Sequence, residues 1–286
     1  MFNLEGDYVT DSTITIFRPN DEILSEYALL ALGYGIGFKA LEKMALGSTG
    51  QVSIKLDTIR NIEIPLPPME IQTQIVNECA RIDSAHDDAK NRIAKCRERI
   101  ENIFRELESK PSVMRISFDD KRYFTLMIGR RVLNSELIDG GHIPVFSANV
   151  LEPFGYVDNL LKGFDDFTSD SILWGIDGDF MVSFYARGHA FYPTDHCGVL
   201  RVITDRMHPR YMARVLEREG RQAGFSRSYR ASLDRVGRLT FNVPDVRLQN
   251  KMMNEVLSLE SEIAEAMKRI ESLSGMKESI LKKYLL

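Results

Sequence analysis

Apolar side chains recur every seven residues along two stretches of the chain, in two interleaved series per stretch. This spacing predicts long helices that pack together along apolar seams. The seam positions are Ile75, Ile82, Ala89, Cys96, Ile103, Cys79, His86, Ile93, Ile100 and Leu107 in the first helix, and Met252, Leu259, Ala266, Leu273, Ile280, Val256, Ile263, Ile270, Lys277 and Tyr284 in the second. We expect the core of the helix pair to contain Ile75, Ile82, Ile93, Ile100, Leu259, Ile263, Ile270 and Leu273. The polar seam residues His86 and Lys277 are expected to set the register.

Shorter patterns predict strands and short helices in the rest of the chain. Runs rich in β-branched and aromatic residues, bounded by turn residues, predict strands at residues 12–18, 142–146, 154–157, 171–175, 180–185, 189–192 and 198–203. Short helices are predicted at residues 22–31 and 208–218, and a glycine-rich loop between residues 33 and 48. The fold class is therefore α+β, with mixed α/β globular parts joined by long helices.

The chain is also similar to itself. Ile54–Gln72 aligns with Ala231–Gln249 at an offset of 177 residues, and the two sets of seam positions keep the same offset. Upstream of the glycine-rich loop the offset becomes 184, which places Tyr27 on Tyr211. Two independent helices would rarely share phase in this way, so the pattern indicates an internal repeat of one globular part followed by one helix.

The repeat divides the chain into four predicted parts. Residues 1–68 form a partial first globular domain, 69–110 the first long helix, 111–248 a complete second domain, and 249–286 the second long helix. The first copy lacks about eighty residues of the second, so either the chain is a truncated two-copy protein or something else completes its first domain. Because one compact domain joins the two helices, we expect an antiparallel coiled coil about 60 Å long with a globular unit at each end.

Composition narrows the class of protein. The 286 residues are 44% hydrophobic and 27% charged, as in a folded chain of one to three domains. Cys79, Cys96 and Cys197 are odd in number and lack Cys-x-x-Cys spacing, which favours a reducing, cytoplasmic setting. No apolar run reaches the roughly 18 residues of a membrane span. The formal net charge of −4 argues against binding nucleic acid by bulk charge, so DNA contact needs local basic patches.

The strongest local signal for DNA contact lies between Arg201 and Arg238. This stretch holds ten arginines and no lysine against four acidic residues, and arginine suits both phosphate and the guanine edge. Within it, a predicted loop supplies the candidates Arg221, Gln222, Ser226, Arg227, Ser228, Tyr229 and Arg230. The alternative is an ordinary solvated basic helix and turn.

Further DNA-binding candidates lie at predicted strand ends and in loops, where polar side chains reach a groove. In the complete domain these are Ser147, Asn149, Tyr156, Tyr185, Arg187 and His189. In the partial first domain they are Lys39, Lys43, Ser48, Thr49 and Gln51. Trp174 is expected in the core.

The motifs of catalysis are missing from the sequence. The Pro-Pro pair at Pro67 and Pro68 follows Leu66 and opens a helix, unlike the Pro-Pro-aromatic motif that holds a flipped adenine in amino-methyltransferases. There is no phosphate-binding G-x-x-x-x-G-K-[ST] loop, and His189, His196 and Cys197 lack metal-ligand spacing. We therefore expect no catalytic, cofactor or metal site in this chain.

The residues before the first long helix resemble a known family. IEIPLPPMEIQTQIV, from Ile62 to Val76, resembles the junction between a target-recognition domain and its conserved helix in the specificity (S) subunits of type I restriction-modification enzymes. Gly47–Ile59 and the C-terminal ESILKKYLL are also similar to that family. The resemblance covers nearly the whole chain, except that the first half of the first target-recognition domain is missing.

The resemblance implies a non-catalytic subunit that binds double-stranded DNA, two methyltransferase (M) subunits and, through them, restriction (R) subunits in a bacterial or archaeal cytoplasm. Each recognition domain would read one half of a split sequence, and the helix pair would fix the gap. S-adenosylmethionine, ATP and magnesium are expected on the partner subunits. The alternative is a truncated, S-like assembly protein that forms a homodimer or binds M subunits without reading DNA.

Overall fold

A computed structural model gives the structure of residues 16–44, 59–159 and 167–285, without the side chains of residues 35, 36, 43 and 44. The chain divides into a first unit, Met1–Glu98 with Glu260–Leu286, and a second unit, Arg99–Leu259. Of the strand predicted at residues 12–18, positions 12–15 lie outside the described residues and 16–18 have no regular secondary structure. The four predicted parts of the chain stay a prediction, because the two units cut across both long helices.

The described helices confirm the mixed α+β class and the long helix before the second domain. They are α1 (Ser25–Gly33), α2 (Gly35–Met44), α3 (Met69–Glu108), α4 (Pro209–Gln222), α5 (Leu233–Gly237), α6 (Val246–Leu273) and α7 (Met276–Leu285). Residues 59–60 are also helical. The predicted continuous second helix is wrong in one respect, since it is interrupted between α6 and α7 at Gly275, whose φ is 75°. A left-handed residue ends a helix, and glycine adopts that conformation without a Cβ clash.

The glycine-rich loop predicted between residues 33 and 48 is corrected by the structure as far as residue 44, and residues 45–48 lie outside the described residues. Only Tyr34, with φ −142° and ψ 157°, separates α1 from α2. A Cβ on Gly37 would lie 2.3 Å from the carbonyl oxygen of Ala31. Glycine at position 37 therefore allows the two helices to approach closely, which explains a glycine within a helix.

The strands of the second unit form three small sheets. They are β1 (Ser112–Ser117), β2 (Phe124–Ile128), β3 (Ile143–Phe146), β4 (Gly155–Val157), β5 (Ser171–Gly175), β6 (Val182–Tyr185), β7 (Tyr192–Pro193), β8 (Cys197–Val202) and β9 (Thr240–Pro244). β1 pairs with β9, the order β2-β8-β5-β6 makes a four-stranded sheet, and β4-β3-β7 makes a three-stranded one. Asn134–Glu136 is a short 3-10 helix.

The core of the second unit lies between α4 and the four-stranded sheet. Trp174 and Leu200 from the sheet and Tyr211 and Val215 from α4 are all buried in one apolar cluster. The indole Nε1 of Trp174 donates a hydrogen bond to the carbonyl oxygen of Ala231, at 2.8 Å. This bond satisfies the polar group of a buried aromatic side chain. It also attaches the segment that follows α4 to the centre of the core.

Within the first unit, α3 contacts the C-terminal helices through ion pairs in antiparallel order. These pairs are Glu78 with Lys283 at 3.1 Å, Asp83 with Lys277 at 2.5 Å and Arg92 with Glu262 at 3.1 Å. Ile75 and Cys79 of α3 are buried with Leu281 of α7. Lys277 has Asp83 as its partner, and its role in setting the register stays a prediction. The coiled-coil pairing of the helices stays a prediction.

The internal repeat is visible as a hydrogen-bonded junction present in both units. In the first unit the buried Gln72 accepts a hydrogen bond from the backbone N–H of Leu24 at 2.9 Å. Its Nε2 donates to the carbonyl oxygens of Glu22, at 3.0 Å, and Pro67, at 2.9 Å. Leu24 is the N-cap residue of α1. Gln72 therefore attaches the start of a short helix to the first turns of α3.

Gln249 makes the equivalent junction in the second unit. Its Oε1 accepts a hydrogen bond from the backbone N–H of His208, the N-cap residue of α4, at 2.9 Å. Its Nε2 donates to the carbonyl oxygen of Pro244 at 2.7 Å. The offsets of 177 and 184 residues that align the sequence carry Gln72 onto Gln249 and Leu24 onto His208. The repeat is thus a repeat of structure as well as of sequence.

Candidate nucleic-acid interface

A tight turn, Ser226–Tyr229, follows α4 in the second unit. The backbone N–H of Ser226 donates to the carbonyl oxygen of Tyr229 at 3.0 Å, and that of Tyr229 donates back to Ser226 at 3.1 Å. The chain enters this turn through Gly224, whose φ is 73°, a conformation that favours glycine. We call Ser226–Tyr229 the 226–229 turn; its two central residues are Arg227 and Ser228.

Aromatic contacts hold the base of the 226–229 turn. Phe225 is buried, and its ring lies 5.3 Å from the ring of Phe180 and 5.4 Å from the stacked ring of Tyr229. The guanidinium of Arg235 lies 4.3 Å from the centre of the Tyr229 ring. Tyr229 therefore contacts both an aromatic ring and a cation, which limits the motion of the turn.

An ionic contact holds the far end of the turn. Arg230 forms an ion pair with Asp177, with its Nη2 donating to Oδ2 at 2.8 Å and its Nε paired with Oδ1. The Nδ1 of His196 also contacts Oδ2 of Asp177. Burial raises the pKa of Asp177, but the hydrogen bonds from His196 and Arg230 outweigh burial and hold this pKa below its ordinary value. Asp177 is therefore the anionic centre of a small cluster beside the turn.

A hydrogen-bonded path connects this cluster to Ser147. The hydroxyl of buried Thr194 donates to the Ser147 hydroxyl at 3.1 Å and accepts the backbone N–H of His196 at 3.2 Å. The structure thus brings one strand-end candidate, Ser147, into the same network as Arg230. Asn149 lies nearby in sequence, and its side chain accepts the backbone N–H of Leu151 at 3.0 Å, which makes it a local turn former.

Arg227 differs from its neighbours in having no described partner. It is exposed at the centre of the turn, and within the described part of the chain it makes no ion pair. Ser228 beside it is exposed and shares only a 3.2 Å contact with the hydroxyl of Ser226. Arg221 and Gln222, at the end of α4, are also exposed, and Arg221 pairs with Glu217 at 2.5 Å. The turn therefore presents one unpaired cation on a rigid base.

Many of the other arginines between residues 201 and 238 serve the fold. Arg201 is 7% exposed, and its Nε donates to the Ser171 hydroxyl at 2.9 Å. Arg218 pairs with Glu108 of α3 at 2.7 Å, and Arg214 pairs with Glu101 of the same helix. The density of arginine in this stretch therefore overstates its free positive charge. Whether this stretch contacts DNA or is an ordinary basic helix and turn stays a prediction.

Four candidates form a second group away from the turn. Tyr185 lies at one end of β6, opposite Ser171, and the turn that contains Asp177 lies at the other end, about 10 Å along the strand. The Tyr185 ring contacts the ring of His189, at 6.4 Å, and burial together with nearby Tyr156 raises its pKa. The exposed Arg187 follows in the loop after β6. Tyr156, Tyr185, Arg187 and His189 are thus near one another but separate from the 226–229 turn.

The candidates of the first unit are only partly described. Lys39 is exposed on α2, 3.9 Å from Glu278 of α7. Lys43 lies in α2, but its side chain is not described, and Ser48, Thr49 and Gln51 lie outside the described residues. The DNA-binding role of these first-unit candidates stays a prediction.

Sequence reasoning missed Asp177, Thr194 and Arg235, which shape the turn. Acidic side chains argue against DNA contact, so a search for basic and polar groups passes over Asp177. The available signal is the Asp-Gly pair just after β5, Asp177 and Gly178, since such a pair places a carboxylate at a fixed turn.

Nowhere in residues 16–44, 59–159 and 167–285 do three or more His, Cys, Asp or Glu side chains gather as a metal site requires. Across the same ranges, no helix combines the length and apolar character needed to cross a lipid bilayer.

Comparison with known proteins supports the resemblance noted in the sequence. Residues 1–95 match the sequence model of the type I restriction modification DNA specificity domain. No curated protein matches the chain. The S subunit of a type I restriction-modification system from M. genitalium is 17% identical with a TM-score of 0.62, and the match covers 93% of this chain and 73% of that one.

A second solved structure, concerned with complex assembly and conformational transition of the type I R-M system, is 13% identical to this chain. Its TM-score is 0.58, and the match covers 91% of this chain and 70% of that one. These findings confirm the resemblance to type I specificity subunits and show that the chain has their fold. The family match ends at residue 95, so the 226–229 turn lies outside it.

Proposed function

We propose that this chain is the DNA-specificity subunit of a type I restriction-modification system and that its second unit reads DNA through the 226–229 turn. The observation that carries the proposal is the geometry of that turn. Its base is held by Phe180, Asp177 and Arg235, while Arg227 is exposed and unpaired among the described residues. A rigid support with one free cation is what a side chain needs to select a base or a phosphate.

The chemistry of Arg227 fits DNA better than other polyanions. Its guanidinium donates two parallel hydrogen bonds to the O6 and N7 atoms of guanine in the major groove, or pairs with a phosphate. Hydroxyl groups on Ser226 and Ser228 and the amide of Gln222 add short polar contacts to the DNA backbone. This combination supports a reader of mixed backbone and base contacts.

The partner subunits supply the chemistry in this proposal. The chain positions M subunits, and through them R subunits, on a split DNA site. S-adenosylmethionine is expected on the M subunits, and ATP and magnesium on the R subunits. Specificity subunits of such systems are not catalytic, so the chain itself contributes binding and placement. The antiparallel ion pairs of the first unit support the pairing of α3 with the C-terminal helices.

The test is the salt dependence of DNA binding. The full chain is assembled with its methyltransferase subunit, and the dissociation constant for duplex DNA is measured across a series of salt concentrations. Arg227→Ala should weaken binding about tenfold and reduce the slope of log affinity against log salt by about one, because one counterion-releasing contact is lost.

Arg122→Ala is the matched control. Arg122 is also an exposed arginine of the second unit, but it is paired with Asp120 at 2.7 Å, so its loss should leave the slope unchanged. If Arg227→Ala and Arg122→Ala behave alike, the turn does not contact DNA. An assembly protein that binds M subunits without reading DNA would give that result.

A further inference from the structure

Arg230 and Arg227 lie three residues apart, but their surroundings differ. Arg227 has no described partner, whereas Arg230 uses both Nε and Nη2 on the two carboxylate oxygens of Asp177. A paired guanidinium of this kind has its planar fork already occupied. Arg230 therefore acts on the fold, and its charge is neutralised beside the turn.

The backbone reinforces the same connection. The N–H of Ala231 donates to the carbonyl oxygen of Ile176 at 3.0 Å, one residue from each member of the ion pair. Ile176 in turn donates its N–H to the carbonyl oxygen of His196, also at 3.0 Å. Asp177 thus lies where the end of β5, the start of β8 and the exit of the 226–229 turn meet.

We propose that Asp177 is a positioning residue that, through Arg230, fixes the 226–229 turn in the conformation that reads DNA. Asp177 itself makes no contact with DNA in this arrangement. This inference rests on the proposed function, because Asp177 is assigned the role of holding the 226–229 turn, the same site that is proposed to read DNA. It predicts that an acidic side chain, which should repel DNA, nevertheless improves sequence selectivity.

The first experiment measures selectivity, as the ratio of affinities for the preferred DNA sequence and an unrelated one. Asp177→Asn should lower this ratio about tenfold, the size expected for one charge-assisted hydrogen bond. The salt slope should not fall, unlike that of Arg227→Ala, because no cation is removed and Arg230 is freed from its carboxylate. Asp177→Glu keeps the carboxylate and should recover part of the selectivity.

Asp179→Asn is the matched control, since Asp179 is an exposed acid in the same turn. Removing either carboxylate lowers the local negative charge equally, so a purely electrostatic effect would be the same in both variants. An unchanged selectivity ratio in Asp177→Asn, or equal changes in Asp177→Asn and Asp179→Asn, would overturn the proposal.

A second experiment needs no DNA. The chain has one tryptophan, Trp174, whose indole donates to Ala231 next to Arg230. Releasing Arg230 in Asp177→Asn should admit water to this bond and shift the emission of Trp174 to longer wavelength, whereas Asp179→Asn should not. An unchanged emission spectrum overturns the role of Asp177 even if the chain selects a DNA sequence. A chain that selects no sequence refutes the proposed function while the fluorescence result stands.

Discussion

Gln72 lies in the first turn of α3 and Gln249 in the first turn of α6. Each side chain connects the start of its long helix to a neighbouring short helix. Both are fully buried, and a buried amide is tolerated only when its donors and acceptors are paired. Each accepts a backbone N–H at the N-cap of a short helix and donates to a proline carbonyl at the start of a long one. The sequence alignment identifies the two positions as equivalent, but only the structure shows what they hold.

Replacing Gln249 with leucine should lower the free energy of unfolding of the second unit by about 2 kcal/mol. The substitution leaves the N–H of His208 and the carbonyl of Pro244 without their partner in a buried site. Urea unfolding followed by Trp174 fluorescence measures the effect. Asn250→Leu, at an exposed position of α6 beside Gln249, should change stability by less than about 0.5 kcal/mol. Equal losses in the two variants would show that the junction contributes nothing.

Tyr211 gives a prediction about alkaline stability. Burial raises the pKa of Tyr211 to about 12, above the value of about 10 for an exposed phenol. The folded state therefore holds this proton more tightly, so the associated stability is complete below pH 10 and is lost as the pH rises towards 12. The difference in free energy of unfolding between the native chain and Tyr211→Phe should become smaller between pH 10 and pH 12. Unfolding free energies at several pH values test this; parallel curves would contradict it.

At the scale of elements, local patterns predict the long helix and most of the strands. The heptad spacing of α3 repeats over its 40 residues, so each turn adds to the same signal. β1, β2 and β9 were missed although they are no shorter than most of the predicted strands. β1 pairs with β9 across the length of the domain, Ser117 with Thr240, and β2 pairs with the distant β8. Their stability depends on a non-local partner that no short window of sequence contains.

The interruption at Gly275 was missed because the local helical pattern continues across it. The heptad series continues in sequence from Leu273 to Ile280, so periodicity alone predicts an unbroken helix. A single glycine within a helical pattern is common enough not to end the prediction. The positive φ of Gly275 is the feature that ends α6.

Gly275→Ala should lower stability by about 1 kcal/mol. An added Cβ meets no atom within 4 Å, so the cost comes from the backbone conformation, with φ at 75°. Gly33→Ala is the control, because an added Cβ there is equally free and φ is not positive. Thermal unfolding compares the two variants. If Gly275→Ala left the stability unchanged, the positive φ at position 275 would not be needed to connect α6 and α7.

At the scale of the whole molecule, the pattern of charged residues predicts part of the candidate site, and the packing of distant segments determines the rest. The sequence predicts Arg227 as an exposed arginine in a polar loop. It does not predict the ion pairs of Arg218 and Arg230, because their acidic partners Glu108 and Asp177 are 110 and 53 residues distant in the sequence. Charge counting therefore finds an arginine-rich segment but does not show which of its arginines have acidic partners.

The most direct test is selection from duplex DNA of random sequence by the full chain, alone and together with its methyltransferase subunit. We predict enrichment of a defined sequence, and loss of preference at one or two base positions in Arg227→Ala while Arg122→Ala keeps the original preference. Recovery of no enriched sequence in either condition would contradict the assignment of this chain as a DNA-specificity subunit.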